Sequence, residues 1–266
     1  APAAATASDL HALASSGSTL VAVGARGTIV SSADGASWTA RGGGYRDAVY
    51  AIDFDGSKYV ATGVFGTILT SADGSTWTSR SQGDKHLFGV AGNGSRWIAV
   101  GEKSTILSSD DGGATWTART AARGDAFTDV IWDGKQFVAP GYGGTIQTSS
   151  DGITWEAVGQ AESTLYSMSF ANGLYVAVGG DGSRSISTSA DGRTWGIRYS
   201  RTGGSLNAAA WNGARWIVVG DSGRVLSSAD GISWDERSAG TSKSLVGVAW
   251  TGSRFIAVGE DGIRFE

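Results

Sequence analysis

The 266-residue chain contains no cysteine, so no disulfide framework, thiol nucleophile or thiolate-ligated metal can form. Its two prolines, Pro2 and Pro140, are too few for a polyproline ligand or a proline-rich linker. The two histidines, His11 and His86, cannot supply a His-rich metal site. Long apolar runs are missing too. Glycine or charge cuts every apolar stretch far short of the ~18 residues a spanning helix needs, so no membrane insertion is expected. The formal charge of −4 is small and the 21 basic residues are scattered, which leaves no electrostatic footprint for nucleic acid. No phosphate-cradling loop, nucleophile elbow or metal-ligand spacing occurs, so no catalytic residue, cofactor or metal is assigned.

Glycine is abundant. Its 42 copies are about twice the ordinary share of roughly 7%, and no G-X-Y period accompanies them. The excess therefore belongs to turns, and many turns mean many short strands. The chain opens on Ala1 with APAAATAS. Small, Ala-rich stretches of this kind follow a removed signal peptide, which makes a secreted or periplasmic location the expectation.

Self-similarity dominates the sequence. The heptamer S-x-D-G-x-[ST]-W ends at Trp38, Trp77, Trp155, Trp195 and Trp234, and a form one residue longer, SDDGGATW, ends at Trp116. Successive tryptophans lie 39, 39, 39, 40 and 39 residues apart. A second motif keeps the same rhythm, from LVAVG at Leu20 through WIAVG at Trp97 and FVAPG at Phe137 to FIAVG at Phe255. It occurs seven times. A unit of about 40 residues that holds several strands is a propeller blade.

Each unit parses into four strands. In the sixth, Leu206 to Trp211 is strand one, Asn212 and Gly213 supply the positive φ of a tight hairpin, and Trp216 to Gly220 is strand two. Arg224 to Ser228 follows as strand three, and the heptamer leads through Trp234 into strand four. The expectation is a single all-β domain over 1–266, a seven-bladed β-propeller with four-stranded antiparallel blades. The last unit stops at Glu266 before any fourth strand, so residues 1–8 are expected to supply it and close the ring.

The S-x-D-G-x-[ST]-W heptamer resembles the Asp-box, or BNR repeat, of sialidases, two-propeller xyloglucanases, sortilin-type receptors and a photosystem II assembly factor. The resemblance covers essentially the whole chain. It implies a hairpin between strands three and four in which Asp34, Asp73, Asp111, Asp151, Asp191 and Asp230 accept backbone N–H bonds, with the tryptophans packed between blades. Six equivalent carboxylates spread around a ring cannot form the unequal pair that acid–base chemistry needs, so they read as structural. Arg41, Arg80, Arg119, Arg198 and Arg237 repeat in the same way and read as scaffold.

A single asymmetric ligand is read by residues that differ between blades. The loops joining strands two and three, and those joining one blade to the next, share one face. That face carries Tyr45, Arg46, Lys85, His86, Arg123, Tyr142 and Arg184, a mixture of aromatic area and directional charge suited to recognition. Asp129 stands out on strand one, because its equivalents Ala12, Ala51, Gly89, Ser167, Ala208 and Gly247 are all small. The reading favoured is a monomeric, non-catalytic propeller that binds a protein or carbohydrate ligand. The alternative is a sialidase-like glycoside hydrolase using loop-face carboxylates such as Asp125 or Asp221 with nearby arginines, but the F/Y-R-I-P motif of sialidases is absent.

Overall fold

Short apolar stretches separated by turn glycines fold as antiparallel meanders, and the computed structural model describes them for residues 7–42, 44–180, 183–262 and 264–265. The first blade is β1 (Leu10–Ser15), β2 (Leu20–Gly24), β3 (Ile29–Ser32) and β4 (Thr39–Ala40). The second is β5 (Val49–Phe54), β6 (Tyr59–Gly63), β7 (Ile68–Ser71) and β8 (Thr78–Ser79). The third is β9 (Leu87–Gly92), β10 (Trp97–Gly101), β11 (Ile106–Ser109) and β12 (Thr117–Arg119). The fourth is β13 (Ile131–Trp132), β14 (Phe137–Pro140), β15 (Thr145–Ser149) and β16 (Glu156–Gln160). The fifth is β17 (Leu165–Ala171), β18 (Leu174–Gly179), β19 (Ser183–Ser189) and β20 (Gly196–Thr202). The sixth is β21 (Leu206–Trp211), β22 (Trp216–Gly220), β23 (Arg224–Ser228) and β24 (Asp235–Ser238).

The remaining strands, β25 (Leu245–Trp250), β26 (Phe255–Gly259) and β27 (Arg264–Phe265), form a three-stranded sheet. This corrects the seven-bladed expectation. The described residues form six blades of four strands, and the seventh repeat yields no complete blade. The fourth strand assigned to residues 1–8 lies almost entirely outside the described residues, which begin at Ala7.

The second strands carry the core. β2, β6 and β10 are buried at all five positions, which explains their unbroken apolar sequences. Hydrophobic clusters form between neighbouring sheets. Val60, Ile68 and Leu69 of the second blade, for example, split between clusters shared with the first and the third. All six repeat tryptophans join such clusters. Leu10, Ala22 and Val30 pack on Val258 at the ring seam, where the Asp261 N–H also donates to Asp9 at 2.8 Å.

Each S-x-D-G hairpin sits between strands three and four and is tied internally. At the fourth blade, Asp151 Oδ1 accepts from the N–H groups of Ile153 and Thr154, both at 2.8 Å, while the Ser149 hydroxyl accepts from the buried Gly152 N–H at 2.8 Å. Gly152 has φ +69°, and a Cβ there would stand 2.8 Å from Ile98 Cδ1 of the preceding blade. The hairpin of one blade therefore rests in a socket on the blade before it, and the guanidinium of Arg96 from that earlier blade donates to the Asp151 carbonyl.

Candidate functional site

The first strands line a central channel of ≈ 880 Å³. What they offer it is set by a repeated irregularity. Pairing of first and second strands skips one residue between Leu10 and Ala12, Val49 and Ala51, Leu165 and Ser167, Leu206 and Ala208, and Leu245 and Gly247. The skipped residues are His11, Tyr50, Tyr166, Asn207 and Val246, and Phe88 is skipped likewise in the third blade. A bulge of this kind re-aims a side chain, and all six of these residues line the channel, at the end nearest the loops between strands two and three.

Two of these residues, and Thr128 at the equivalent position of the fourth repeat, stitch their blade to the next through hydrogen-bonding tips. His11 Nδ1 meets the Val49 carbonyl at 2.9 Å, so Nδ1 carries the proton. Asn207 Nδ2 donates to the Leu245 carbonyl at 2.9 Å, and the Thr128 hydroxyl donates to the Leu165 carbonyl at 2.5 Å. The aromatic ones do something else. The ring centroids of His11 and Tyr50 lie 5.5 Å apart, those of Tyr50 and Phe88 5.8 Å, those of Phe88 and His86 6.3 Å, and those of His86 and Phe65 4.9 Å. An unbroken aromatic arc thus crosses three blades at the channel mouth. It ends on Phe65, which is 61% exposed and held at φ +51° in the turn after β6. The Phe65 N–H donates to His86 Nδ1 at 3.1 Å, which puts the His86 proton on Nε2.

The residues expected on the loop face separate into three groups. His86 belongs to the arc, and Tyr142, 50% exposed, reaches the channel lining. Arg46 is exposed, Lys85 pairs with Asp84 at 3.0 Å, and Arg123 pairs with Asp125 at 3.2 Å. Tyr45 is half-buried on the core of the first two blades, with its hydroxyl donating to the Trp77 carbonyl at 3.1 Å. Its backbone is committed as well, because a Cβ on Gly27 would stand 2.3 Å from the Tyr45 carbonyl oxygen. Arg184 lies on β19, and its side chain is outside the described residues. Asp221 accepts from the Ser205 N–H at 2.8 Å and from Asn207 Nδ2 at 3.1 Å, so this loop-face carboxylate supports the bulge column.

Deeper in the channel stand two carboxylates. Asp129 accepts from its neighbour Val130 N–H at 2.8 Å and from Met168 N–H of the next blade at 3.0 Å. Asp53 accepts from Gly92 N–H of the next blade at 3.0 Å. Burial pushes the Asp129 carboxyl up to about 6, with a smaller upward push from the charge of Asp53, and burial pushes Asp53 up as well. Asp53 was not among the sequence candidates, although all but one of its equivalents, Ala14, Ala91, Ser169, Ala210 and Ala249, are as small as those of Asp129, the exception being Ile131.

The hairpin carboxylates are shifted the opposite way. The N–H three residues on lowers Asp34, Asp73, Asp151, Asp191 and Asp230, with Asp151 held down to about 2, and the Thr115 hydroxyl does most to lower Asp111. Such groups are acceptors only and cannot protonate a leaving group. Among the described residues, no group of three or more His, Cys, Asp or Glu is placed to hold a metal ion.

No protein-family model matches the chain, and no curated protein matches it. Solved structures do. YCF48 from Cyanidioschyzon merolae is 18% identical with a TM-score of 0.76, over 97% of this chain and 95% of that one. YCF48 bound to D1 peptide is 16% identical with a TM-score of 0.77, over 97% of this chain and 93% of that one. At this level of identity the likeness is one of fold, and the chain is a β-propeller like YCF48.

Proposed function

We propose that this chain is a non-catalytic binding propeller of the Asp-box type that takes a segment of a partner protein at its channel mouth. The aromatic arc His11–Tyr50–Phe88–His86–Phe65 carries this reading. It offers rigid ring area across three blades beside an open channel, with Tyr142 exposed on the same face. The loop-face carboxylates Asp125 and Asp221 are engaged by Arg123 and by Ser205 and Asn207, which speaks against their service as a hydrolytic pair. That YCF48, a propeller of the same fold, has been solved with a bound D1 peptide supports a peptide as the class of ligand.

Peptides selected from a random display library on the full chain provide the test. They should bind the wild-type protein and lose affinity by tenfold or more, about 1.4 kcal/mol, for Phe65→Ala with Phe88→Ala, while the melting temperature stays close to wild type. Selective binding on a glycan array, lost in the same variant, would replace the protein ligand with a carbohydrate. Turnover of a sialoside or a β-glucan by the purified chain would overturn the non-catalytic reading.

A further inference from the structure

The outer edges of the blades are not alike. The edge strands β4, β8, β12, β16 and β24 have two to five residues, as short edge strands do when a sheet is protected from pairing with other chains. β20 has seven, and its far edge pairs with no strand among the described residues. Its sequence, GIRYSRT, contains no proline and no acidic residue. The strand is also held firmly in place. The Tyr199 hydroxyl donates to Glu236 on the next blade at 2.5 Å, Arg224 pairs with the same carboxylate, and the Arg201 guanidinium lies 5.5 Å from the Tyr199 ring. Exposed Ile197 adds apolar area on this strand, 41% accessible to solvent.

We propose that the free edge of β20 is a second docking line, separate from the channel mouth, and that it takes an extended acidic segment of a partner protein as a fifth strand. The backbone N–H and C=O groups of β20, in two stretches on either side of a bulge at Arg198, supply the affinity in this mode of recognition, and the side chains beside them supply the selectivity. Here those side chains are cationic. Arg193 leads into the strand, Arg198 and Arg201 lie on it, and all three are exposed. Arg198 keeps its Nε on the Thr188 hydroxyl at 2.8 Å, so it belongs partly to the scaffold. Arg201 touches Glu236 only at 3.8 Å and remains 65% exposed. The same charge argues against a second copy of this chain as the occupant, because pairing β20 with itself sets arginine-bearing strands side by side, and like charges across a sheet are destabilising.

The test uses the full chain and two fluorescein-tagged, acetylated peptides as long as β20, one alternating valine with glutamate and the other valine with lysine. The glutamate peptide should bind by fluorescence polarisation, and hydrogen exchange at residues 196–202 should slow when it does. Arg193→Glu with Arg201→Glu should weaken it about tenfold at an unchanged melting temperature, as expected when like charges face each other. If that variant unfolds early, Arg201→Gln alone should show a partial loss. Equal binding of the lysine peptide, unchanged exchange at 196–202, or protection at the channel mouth alone would overturn the proposal. Concentration-dependent dimerisation that slows exchange on β20 would also overturn it.

Discussion

Asp129 stands opposite Pro140. The pairing Ile131–Val138, continued two residues, brings them face to face, and the Thr128 N–H reaches the Pro140 carbonyl at 3.0 Å. In the other repeats that second-strand position is Val23, Thr62, Val100, Val178, Val219 or Val258, each with an N–H to give to the ladder. Proline has none, so β13 shrinks to two residues where its counterparts run to six or seven. Pro140→Val should extend β13 back towards Thr128 and stabilise the fold by about 1 kcal/mol. Slower amide exchange at Val130 with a raised melting temperature is the expected result, and unchanged exchange would show that Asp129 itself holds the strand apart.

The two sets of carboxylates act on stability with opposite sign. An unfolded aspartate titrates near ~4, whereas folded Asp129 titrates at about 6, so between these values the folded chain keeps a proton that the unfolded chain has released. The contribution of Asp129 to stability therefore falls as pH rises from ~4 to ~6, by on the order of 3 kcal/mol at most. The hairpin aspartates, held below their usual range, contribute stability that is present above ~4 and lost as pH falls through their folded values. Urea unfolding across pH 2 to 8 should thus show stability rising to about pH 4 and declining towards about pH 6, with Asp129→Asn reducing the decline to the part that Asp53 contributes and leaving the rise in place.

Within each hairpin, the serine and the aspartate are unequal partners. Gly152 N–H, which Ser149 satisfies, is buried, whereas the donors that Asp151 satisfies are exposed and can turn to water. Ser149→Ala should therefore cost about 1–3 kcal/mol and Asp151→Ala about 1 kcal/mol or less. Thermal unfolding of the two variants ranks them directly.

Phe65 occupies a left-handed backbone position that its repeat counterparts Arg26, Ser222 and Asp261 share at φ +54° to +58° and that Gly143 fills at φ +64°. Phe65→Gly should keep the turn and relieve strain of about 1 kcal/mol. Affinity for the selected peptides should fall all the same. A variant that melts higher and binds worse separates the role of the ring from the shape of the turn, and undiminished binding would remove Phe65 from the site.

The ring architecture was legible because the same contacts recur. Tryptophans at constant spacing pack at equivalent junctions, and the S-x-D-G serines and aspartates each satisfy the N–H groups their pattern implies. The binding face was legible only in part. Tyr45 reads as a loop aromatic, but burying its ring while its carbonyl packs on Gly27 is a long-range event that no local pattern signals. The bulge column was missed for a related reason, since a strand pattern of period two does not announce a skipped residue. Its signal was present nonetheless. First strands vary little at their first position and, Asp129 apart, are small at their third, whereas the second positions His11, Tyr50, Phe88, Thr128, Tyr166, Asn207 and Val246 share almost nothing between them. That the seventh repeat forms only three strands among the described residues was not legible, because a fourth strand for it had to be sought among residues that lack strand propensity.

The socket beneath each hairpin bears on how such a chain grows by gene duplication. Because a unit carries a hairpin that fits the blade before it and a socket that receives the hairpin of the blade after it, a tandem copy brings both halves of its own joints. Ancestral arrays of this kind can lengthen without inventing a contact. What selection must then adjust is the wedge angle between neighbours, and in the first strands small residues mark close approaches, such as Gly89, where a Cβ would stand 2.8 Å from the Asp129 backbone, and Gly247, where one would stand 3.3 Å from Ala12 Cα.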